Sequence, residues 1–364
     1  MGQINYFGIK VNVTSSPELQ PRSLTRRIVE RIWILWLKLI HKKKILYSLS
    51  EDLITLGVNI GLIPITKSFK NWENLSDFNF TLPYSCKKEG ISAILRVKNE
   101  EQKIIYCLTS IYDVFDEIVF IDNLSTDKTL EFVSTFKDKY DSQNKIKVYK
   151  YPHRISRCGS ENSETPENSI QNLAYYYNWA LSHCSFKYAC KWDADMIFIK
   201  ERKSSFRSFF NSKLLPSRYK VLRIKGQTIY RDFHNNYFVS ASMNTEPRIF
   251  PFSYLNHYVK TEVWEDLMCQ PPLLEEDAGP AMYYELKFIS EDELSHWSPN
   301  LLAKPDQNPL DRRGLEELRT LESLKSGQID ENSLTPIASD FLPSLDLCDT
   351  TLGNTLSNST LSTS

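Results

Sequence analysis

Two carboxylates one residue apart, in Lys191-Trp192-Asp193-Ala194-Asp195, stand directly after the short apolar run Tyr188-Ala189-Cys190. On a strand, Asp193 and Asp195 point to one side, and where the strand end bends away both can converge on one hard cation through oxygen ligands. The chemistry this suits is the holding of a divalent cation. A solvated turn also explains a bare Asp-x-Asp, so the elements upstream must decide.

From Gly90 those elements are regular. Ile91 to Val97 reads as a strand. Asn99, with Gln102 three residues on, reads as the cap of a helix carrying Ile104, Ile105, Leu108, Ile111, Tyr112 and Phe115. Ile118-Val119-Phe120-Ile121 is a continuous apolar run, as expected of a strand buried on both faces. Ser125 or Thr126 caps a second helix with Leu130, Val133 and Phe136. Ile146 to Tyr151 is a third strand, and after a polar loop from His153 to Asn168 a third helix carries Ile170, Leu173, Tyr177 and Leu181.

The alternation predicts a mostly parallel sheet with right-handed crossovers and helices on both faces, an α/β fold of Rossmann-like type, in which ligands bind beyond the carboxyl ends of the strands. Three polar clusters fall at such ends: Lys98-Asn99-Glu100, the run Asp122 to Asp127, and Asp193-Ala194-Asp195. Helix capping explains any one of them. Three on one edge, two of them acidic, point to a site.

The segment Ile91 to Glu101, then Ile121-Asp122-Asn123-Leu124-Ser125-Thr126-Asp127-Lys128-Thr129, then the Asp-x-Asp, resembles in order and spacing the nucleotide-binding half of family 2 glycosyltransferases of the GT-A fold. The resemblance is firm over about residues 90–200 and thinner to about 300. It implies that Val97, Asn99, Glu100 and Asp122 line the pocket for the base and ribose of a nucleotide-sugar. It implies further that Asp193 sits near the ribose or metal, and that Asp195 ligates Mn²⁺ or Mg²⁺ on the diphosphate. A divalent cation there neutralises the charge that grows on the leaving group. The chain departs from the family run Asp-Asp-Gly-Ser-Thr-Asp, because Asn123 and Leu124 replace the second acid and the glycine. Neither a Gly-x-Gly-x-x-Gly after the first strand nor a Walker-type Gly-Lys-Ser/Thr is present, which disfavours a dinucleotide oxidoreductase or a P-loop enzyme.

Beyond the metal pair, Tyr219 to Ile224 reads as a strand, and Glu246-Pro247-Arg248-Ile249-Phe250 resembles a strand of bacterial family members that build lipopolysaccharide and capsule. Transfer with inversion needs a carboxylate to take the acceptor proton. Glu275-Glu276-Asp277 resembles the acidic pair at a helix start that carries this base, with Asp277 first and Glu276 close behind. An acidic helix start that favours the dipole explains them equally. Glu262, in Lys260-Thr261-Glu262-Val263-Trp264, is the further candidate. Arg248 faces a phosphate of donor or acceptor, or forms a surface ion pair.

The net charge of −1 over 364 residues gives no global field for nucleic acid. Seven scattered cysteines without a Cys-x-x-Cys pair argue against a disulfide framework or zinc site. With neither a signal-peptide pattern in Met1 to Thr14 nor a spanning apolar run, the expected location is cytoplasmic. Between residues 22 and 44, eight Arg and Lys surround Ile32-Trp33-Ile34-Leu35-Trp36-Leu37. This suits a helix lying on the inner face of a membrane with cations toward anionic lipid, or a helix packed on the main domain. Three regions follow: an N-terminal helical arm over 1–87, a GT-A domain over 88–300, and a C-terminal extension over 301–364. The extension is expected to hold a charged helix from Leu315 to Leu324 and a disordered Ser/Thr-rich tail from Leu334.

The resulting expectation is a metal-dependent, inverting glycosyltransferase using a nucleotide-sugar and a surface-polysaccharide or lipid-linked acceptor. Two alternatives stay open: a non-catalytic sugar-nucleotide or carbohydrate-binding scaffold of the same fold, and a sugar-1-phosphate nucleotidyltransferase.

Overall fold

A computed structural model of the chain describes residues 2–6, 9–13, 46–86, 88–215, 220–261, 264–269, 274–289, 309–327 and 333–343. A hairpin of β1 (Gly2–Tyr6) and β2 (Ile9–Val13) stands first. The segment 22–44, expected as a membrane-docking helix, lies outside the described residues. Helix α1 (Leu46–Asn59) turns Ile54 and Gly57 inward, and a Cβ on Gly57 would lie 3.0 Å from Ile63. Its Leu53 and Leu56 stay exposed. The hairpin β3 (Thr66–Phe69) and β4 (Phe80–Pro83) buries Leu82 in the main body. The region before residue 88 is thus partly strand and partly integral to the core.

The sheet is nucleated by apolar runs. β5 (Lys88–Val97) and β6 (Glu117–Asp122) flank helix α2 (Ile104–Ile111), and α3 (Thr129–Tyr140) leads to β7 (Ile146–Lys150). After a short turn of helix, α4 (Ser160–Glu164), come α5 (Leu173–Leu181) and β8 (Phe186–Trp192). Ile118, Val119, Phe120 and Ile121 are all fully buried, each contributing about 1.5–3 kcal/mol by leaving water. At the opposite end of these strands the buried Glu117 accepts from Ser92 Oγ (2.6 Å), Ser185 N (2.9 Å) and Ser185 Oγ (2.7 Å). One satisfied carboxylate therefore pins β5, β6 and the entry to β8.

β9 (Met196–Phe198) and α6 (Lys203–Phe209) follow, then the long hairpin β10 (Lys220–Arg231) and β11 (Tyr237–Pro251). A second hairpin, β12 (Asn256–Lys260) and β13 (Glu265–Cys269), precedes the long β14 (Leu274–Phe288). The sheet order is β7-β6-β5-β8-β11-β10-β14-β9. β7, β6, β5 and β8 are parallel, as expected, whereas β11 pairs antiparallel with both β8 and β10, β14 runs parallel to β10, and β9 antiparallel to β14. The sheet is thus parallel in its first half and mixed in its second. Apolar clusters on its two faces, one with α2 and α3 and one with α5, make the layered α/β fold.

The C-terminal extension holds a longer helix than expected, α7 (Pro309–Lys325). The expected tail also contains β15 (Leu334–Ile337), paired antiparallel with β11. Leu321, Leu324 and Leu334 share a buried cluster with Tyr230, Phe238 and Ile289. The expectation of a tail disordered from Leu334 is corrected over Leu334–Ile337, because Leu334 packs into that buried cluster and its strand pairs with β11. Residues beyond 343 are outside the described set.

Candidate active site

The carboxyl ends of β5, β6 and β8 meet on one edge: Val97 lies opposite Asp122, and Leu95 opposite Trp192. Asp122 is buried at the end of its strand and accepts from Ser125 N at 3.3 Å. The two loops beyond β5 and β6 are zipped together. Asn99 N donates to Ser125 Oγ (3.0 Å), Thr126 N to Asn99 Oδ1 (2.8 Å), Glu100 N to Thr129 Oγ1 (2.8 Å), and Lys128 N to Glu101 Oε2 (2.9 Å). The sequence reading made Asn99 the cap of α2 and Ser125 or Thr126 the cap of α3. The structure corrects both, since these side chains tie loop to loop and Asp127 Oδ1 accepts from Thr129 N at the start of α3 (3.0 Å). Glu100 forms an ion pair with Lys103 (3.3 Å).

The family glycine is replaced without loss of the turn. Leu124 adopts φ +60° and Asn99 φ +56°, the left-handed region. Asn123, in place of the second acid, donates through Nδ2 to the carbonyls of Tyr151 (2.9 Å) and His153 (2.7 Å). A carboxylate could not make either bond.

Asp193 emerges at the end of β8 between two guanidinium groups. Arg96 reaches Oδ1 at 3.3 Å and Arg248 reaches Oδ2 at 2.7 Å. Both arginines are themselves held: Arg96 stacks on the Tyr177 ring with its guanidinium carbon 3.2 Å from the centroid, and Arg248, 3% exposed, also pairs with Glu246 (3.0 Å). Burial alone would raise the Asp193 carboxyl, but the charges of Arg248, Lys191 and Arg96 outweigh it and hold the group well below the usual carboxylate range. Arg248 is therefore a buried ion pair rather than a surface one. Tyr283 faces Arg248 and covers Gly226, where any side chain would run into its ring.

Asp195, side chain 12% exposed, lies 3.1 Å from Lys287 Nζ on β14. The backbone places it there: Met196 N donates to Asp193 O (3.1 Å), reversing the chain, and Leu286 N donates to Asp195 O (2.9 Å). Among the described residues no group of three or more His, Cys, Asp or Glu forms a ready metal cage. Mg²⁺ does not require one, because it is commonly bound through one or two carboxylates plus substrate phosphates. Asp195 fits that role, as a sheltered carboxylate whose partner is already a cation. Asp193 fits it less well, since each of its oxygens engages an arginine.

The acids expected at a helix start are on a strand. Glu275, Glu276 and Asp277 belong to β14, paired with Arg223 (3.4 Å), Lys220 (2.7 Å) and Lys225 (2.8 Å). Burial would raise the Asp277 carboxyl, but Lys225, the Gly279 amide and Arg223 outweigh it and lower it, which weakens it as a base. Asp277 lies opposite Arg223 and Leu286 opposite Ile229, so six residues of β10, about 20 Å, separate Asp277 from the contact with Asp195. The structure does not bring Asp277 or Glu276 to the metal pair. Glu262 lies outside the described residues, but its flanks do not: Lys191 Nζ meets Glu265 at 3.4 Å, and Asn162 Nδ2 donates to Thr261 O (3.2 Å) and Trp264 O (3.3 Å). Arg96, Tyr177, Glu285 and Lys287 were not singled out from sequence. Arg96 could have been, as a lone cation inside an apolar strand.

Residues 92–155 match the profile of the family described as Glycosyl transferase family 2. No curated protein matches the chain. Among solved structures it is similar to residues 1–349 of S. aureus TarS, at 17% identity over 54% of this chain and 60% of that one, TM-score 0.34. It is similar too to glucosyl-3-phosphoglycerate synthase from Mycobacterium tuberculosis, crystallised with Mn²⁺, uridine-diphosphate and phosphoglyceric acid, at 20% identity over 39% and 44%, TM-score 0.25. The chain thus spans less than two thirds of the structures it resembles. The likeness to the glycosyl transferase family 2 thus rests on residues 92–155, the stretch that builds the β5 and β6 side of this edge.

Proposed function

We propose that the chain moves a sugar from a nucleotide-sugar donor to a glycan or lipid-linked acceptor, with inversion, at the edge where β5, β6 and β8 end. The observation that carries this is the convergence of Asp122, Asp193 and Asp195 on that edge with Arg96, Arg248 and Lys287 around them. Val97 and Asp122 line the base and ribose pocket. Asn99 and Glu100 shape its rim through the loop-to-loop bonds. Asp193 orients the two arginines, whose charge suits a diphosphate. Asp195 holds Mn²⁺ or Mg²⁺, which when bound supplies charge neutralisation on the leaving diphosphate.

The base that takes the acceptor proton is Glu262 in this reading. Its flanking residues Thr261 and Trp264 are both held by Asn162, and Glu265 meets Lys191, two residues before Asp193. Loss of the turn after β6 would favour a non-catalytic scaffold, and the left-handed φ of Leu124, +60°, weakens that reading.

No helix among the described residues is long and apolar enough to cross a membrane. We extend the proposal to a peripheral contact of residues 22–44 with anionic lipid. Downstream of that basic segment, Leu53, Leu56, Ile60, Leu62 and Ile65 are 49–78% exposed, an apolar row of the kind that marks an interaction surface.

The donor reading is tested by thermal shift of the full chain with UDP-, GDP-, CMP- and dTDP-sugars, with and without Mn²⁺. Stabilisation by one nucleotide class, greater with metal, is expected, since a ligand at 100 times its Kd contributes about 2.7 kcal/mol. Release of pyrophosphate from a nucleoside triphosphate would instead identify a nucleotidyltransferase.

A further inference from the structure

Helix α5 buries two consecutive tyrosines, Tyr176 and Tyr177, near the edge where β5 and β6 end. Tyr177 is the platform of Arg96. The Tyr176 ring lies 6.4 Å from the Tyr177 ring on one side and 4.6 Å from the Tyr151 ring on the other. Tyr151, directly after β7, donates its amide to Asp122 O at 2.8 Å. Tyr176 therefore stands between the surroundings of Asp122 and those of Arg96.

Its hydroxyl has nothing to bond. Tyr176 is 4% exposed, and among the described residues its buried hydroxyl has no hydrogen-bond partner. The neighbouring phenols are satisfied: Tyr151 donates to Ile170 O (2.7 Å) and Tyr175, one residue before it on the same helix, to Phe78 O (3.1 Å). A buried orphan of this kind costs stability, and in a native fold it calls for a reason. The two charged groups beside it also hold unused capacity. Among the described residues, the Asp122 carboxylate has one hydrogen bond, 3.3 Å from Ser125 N, and the Arg96 guanidinium one, 3.3 Å from Asp193 Oδ1. Burial pushes the Tyr176 phenol well up, so it keeps its proton, while the charge of Arg96 acts to lower it and that of Asp122 to raise it.

We propose that Tyr176 is a specificity residue of the nucleotide site: its hydroxyl takes a hydroxyl of the donor's ribose as partner, so that the site prefers ribonucleotides to their deoxy counterparts. This rests on the reading of the edge of β5, β6 and β8 as the donor site. In a nucleotide the ribose stands between base and diphosphate. Tyr176 stands between Asp122, which lines the base and ribose pocket in that reading, and Arg96, whose charge suits the diphosphate. A ribose hydroxyl both donates and accepts, and so does a phenol, whereas a carboxylate only accepts and a guanidinium only donates. Reaching the ribose asks for a shift of the ring that breaks no hydrogen bond of the hydroxyl. Burial makes the contact selective, because a deoxy ligand leaves the phenol oxygen unpaired inside the closed site.

The test removes one hydroxyl from the protein and one from the ligand, and reads the coupling between them. Dissociation constants of UDP, CDP and GDP, of the 2′-deoxy and 3′-deoxy form of each, and of dTDP are measured by isothermal titration calorimetry with Mn²⁺. The full chain is used, as wild type and as Tyr176→Phe. For the base that binds best, wild type should prefer the ribonucleotide to at least one of its deoxy forms by about three- to tenfold, and Tyr176→Phe should bring that ratio close to unity. A merely structural tyrosine would not move the ratio. Without nucleotide, Tyr176→Phe should melt no lower than wild type, because the substitution deletes an unpaired buried hydroxyl.

A preference that survives in Tyr176→Phe overturns the proposal. So does a wild type that binds ribo and deoxy forms equally, a measurement that needs no variant to fold. Either outcome leaves the donor site standing, as does binding of dTDP alone, which also overturns the proposal. If no nucleoside diphosphate binds wild type, the donor-site reading falls and this inference falls with it.

Discussion

Asn123 occupies a position where the family carries an acid, and its amide holds two carbonyls beyond β7. Asn123→Asp should therefore lower stability by about 1–3 kcal/mol, because the buried carbonyls lose their donor and face a carboxylate instead. Urea melts at pH 7 check this, and an unchanged midpoint would show that the loop does not depend on the amide. The proposed base makes a sharper contrast. Glu262→Gln should reduce kcat by about 10²–10⁴-fold with little change in donor binding, whereas Asp277→Asn, ion-paired to Lys225 far along β14, should stay within a few fold of wild type. Equal losses would reopen the assignment. At this scale the sequence disclosed Asp122, Asp193 and Asp195, because acids at the ends of apolar runs are conspicuous. It did not disclose Arg96 or Lys287, since which carboxylate a cation meets depends on strand register between segments nearly one hundred residues apart. The acids at 275–277 were misplaced for a related reason, as nothing local distinguishes an acidic helix start from the first turn-out of a long strand.

Strands and helices with one continuous apolar run or a 3.6-residue repeat were legible: β5, β6, α2, α3 and α5 all stand where their periodicity puts them. The hairpin of β12 and β13 was not, yet it flanks the site and contains a pH-sensitive group. His257 on β12 is buried; its Nδ1 lies 2.7 Å from Tyr254 O and its Nε2 3.2 Å from Lys67 Nζ. Lysine only donates, so Nε2 accepts and Nδ1 carries the proton, which makes the ring neutral. Burial, together with the charge of Lys67, lowers its pKa to about 4. An unfolded histidine titrates near 6.5. Between these values the unfolded chain binds more protons than the folded one, so stability is full above about 6.5 and declines as pH falls toward 4, by at most about 3 kcal/mol. His257→Gln should flatten that decline. Urea midpoints at pH 7 and pH 4.5 measure it, and identical pH dependence in wild type and variant would refute the role.

At the scale of the molecule, the half that carries the family match follows simple alternation, while the second half takes its order from pairings no local pattern encodes. β11 runs between β8 and β10 while also receiving β15 from the C-terminal extension. The lipid contact belongs to this scale as well, since it depends on how an apolar row and a basic segment combine. On α1, Ile54 and Gly57 face the core, and the adjoining flank presents Leu53 and Leu56, with Ile60 continuing the row just past the helix. Residues 22–44 bring eight cations against the single acid Glu30, and each basic group near an anionic surface contributes about 1 kcal/mol at low salt. The full chain should therefore sediment with phosphatidylglycerol vesicles at low ionic strength and be released by 0.5 M salt, where screening shortens the reach of the charges. Replacing Leu53, Leu56 and Ile60 together by serine should weaken sedimentation at least tenfold, as each aliphatic side chain returned to water forfeits about 1 kcal/mol or more. Because these residues are already exposed, the triple variant should retain its thermal midpoint. Undiminished sedimentation of that variant would assign the attraction to charge alone, and equal binding to phosphatidylcholine vesicles would remove the charge from the account.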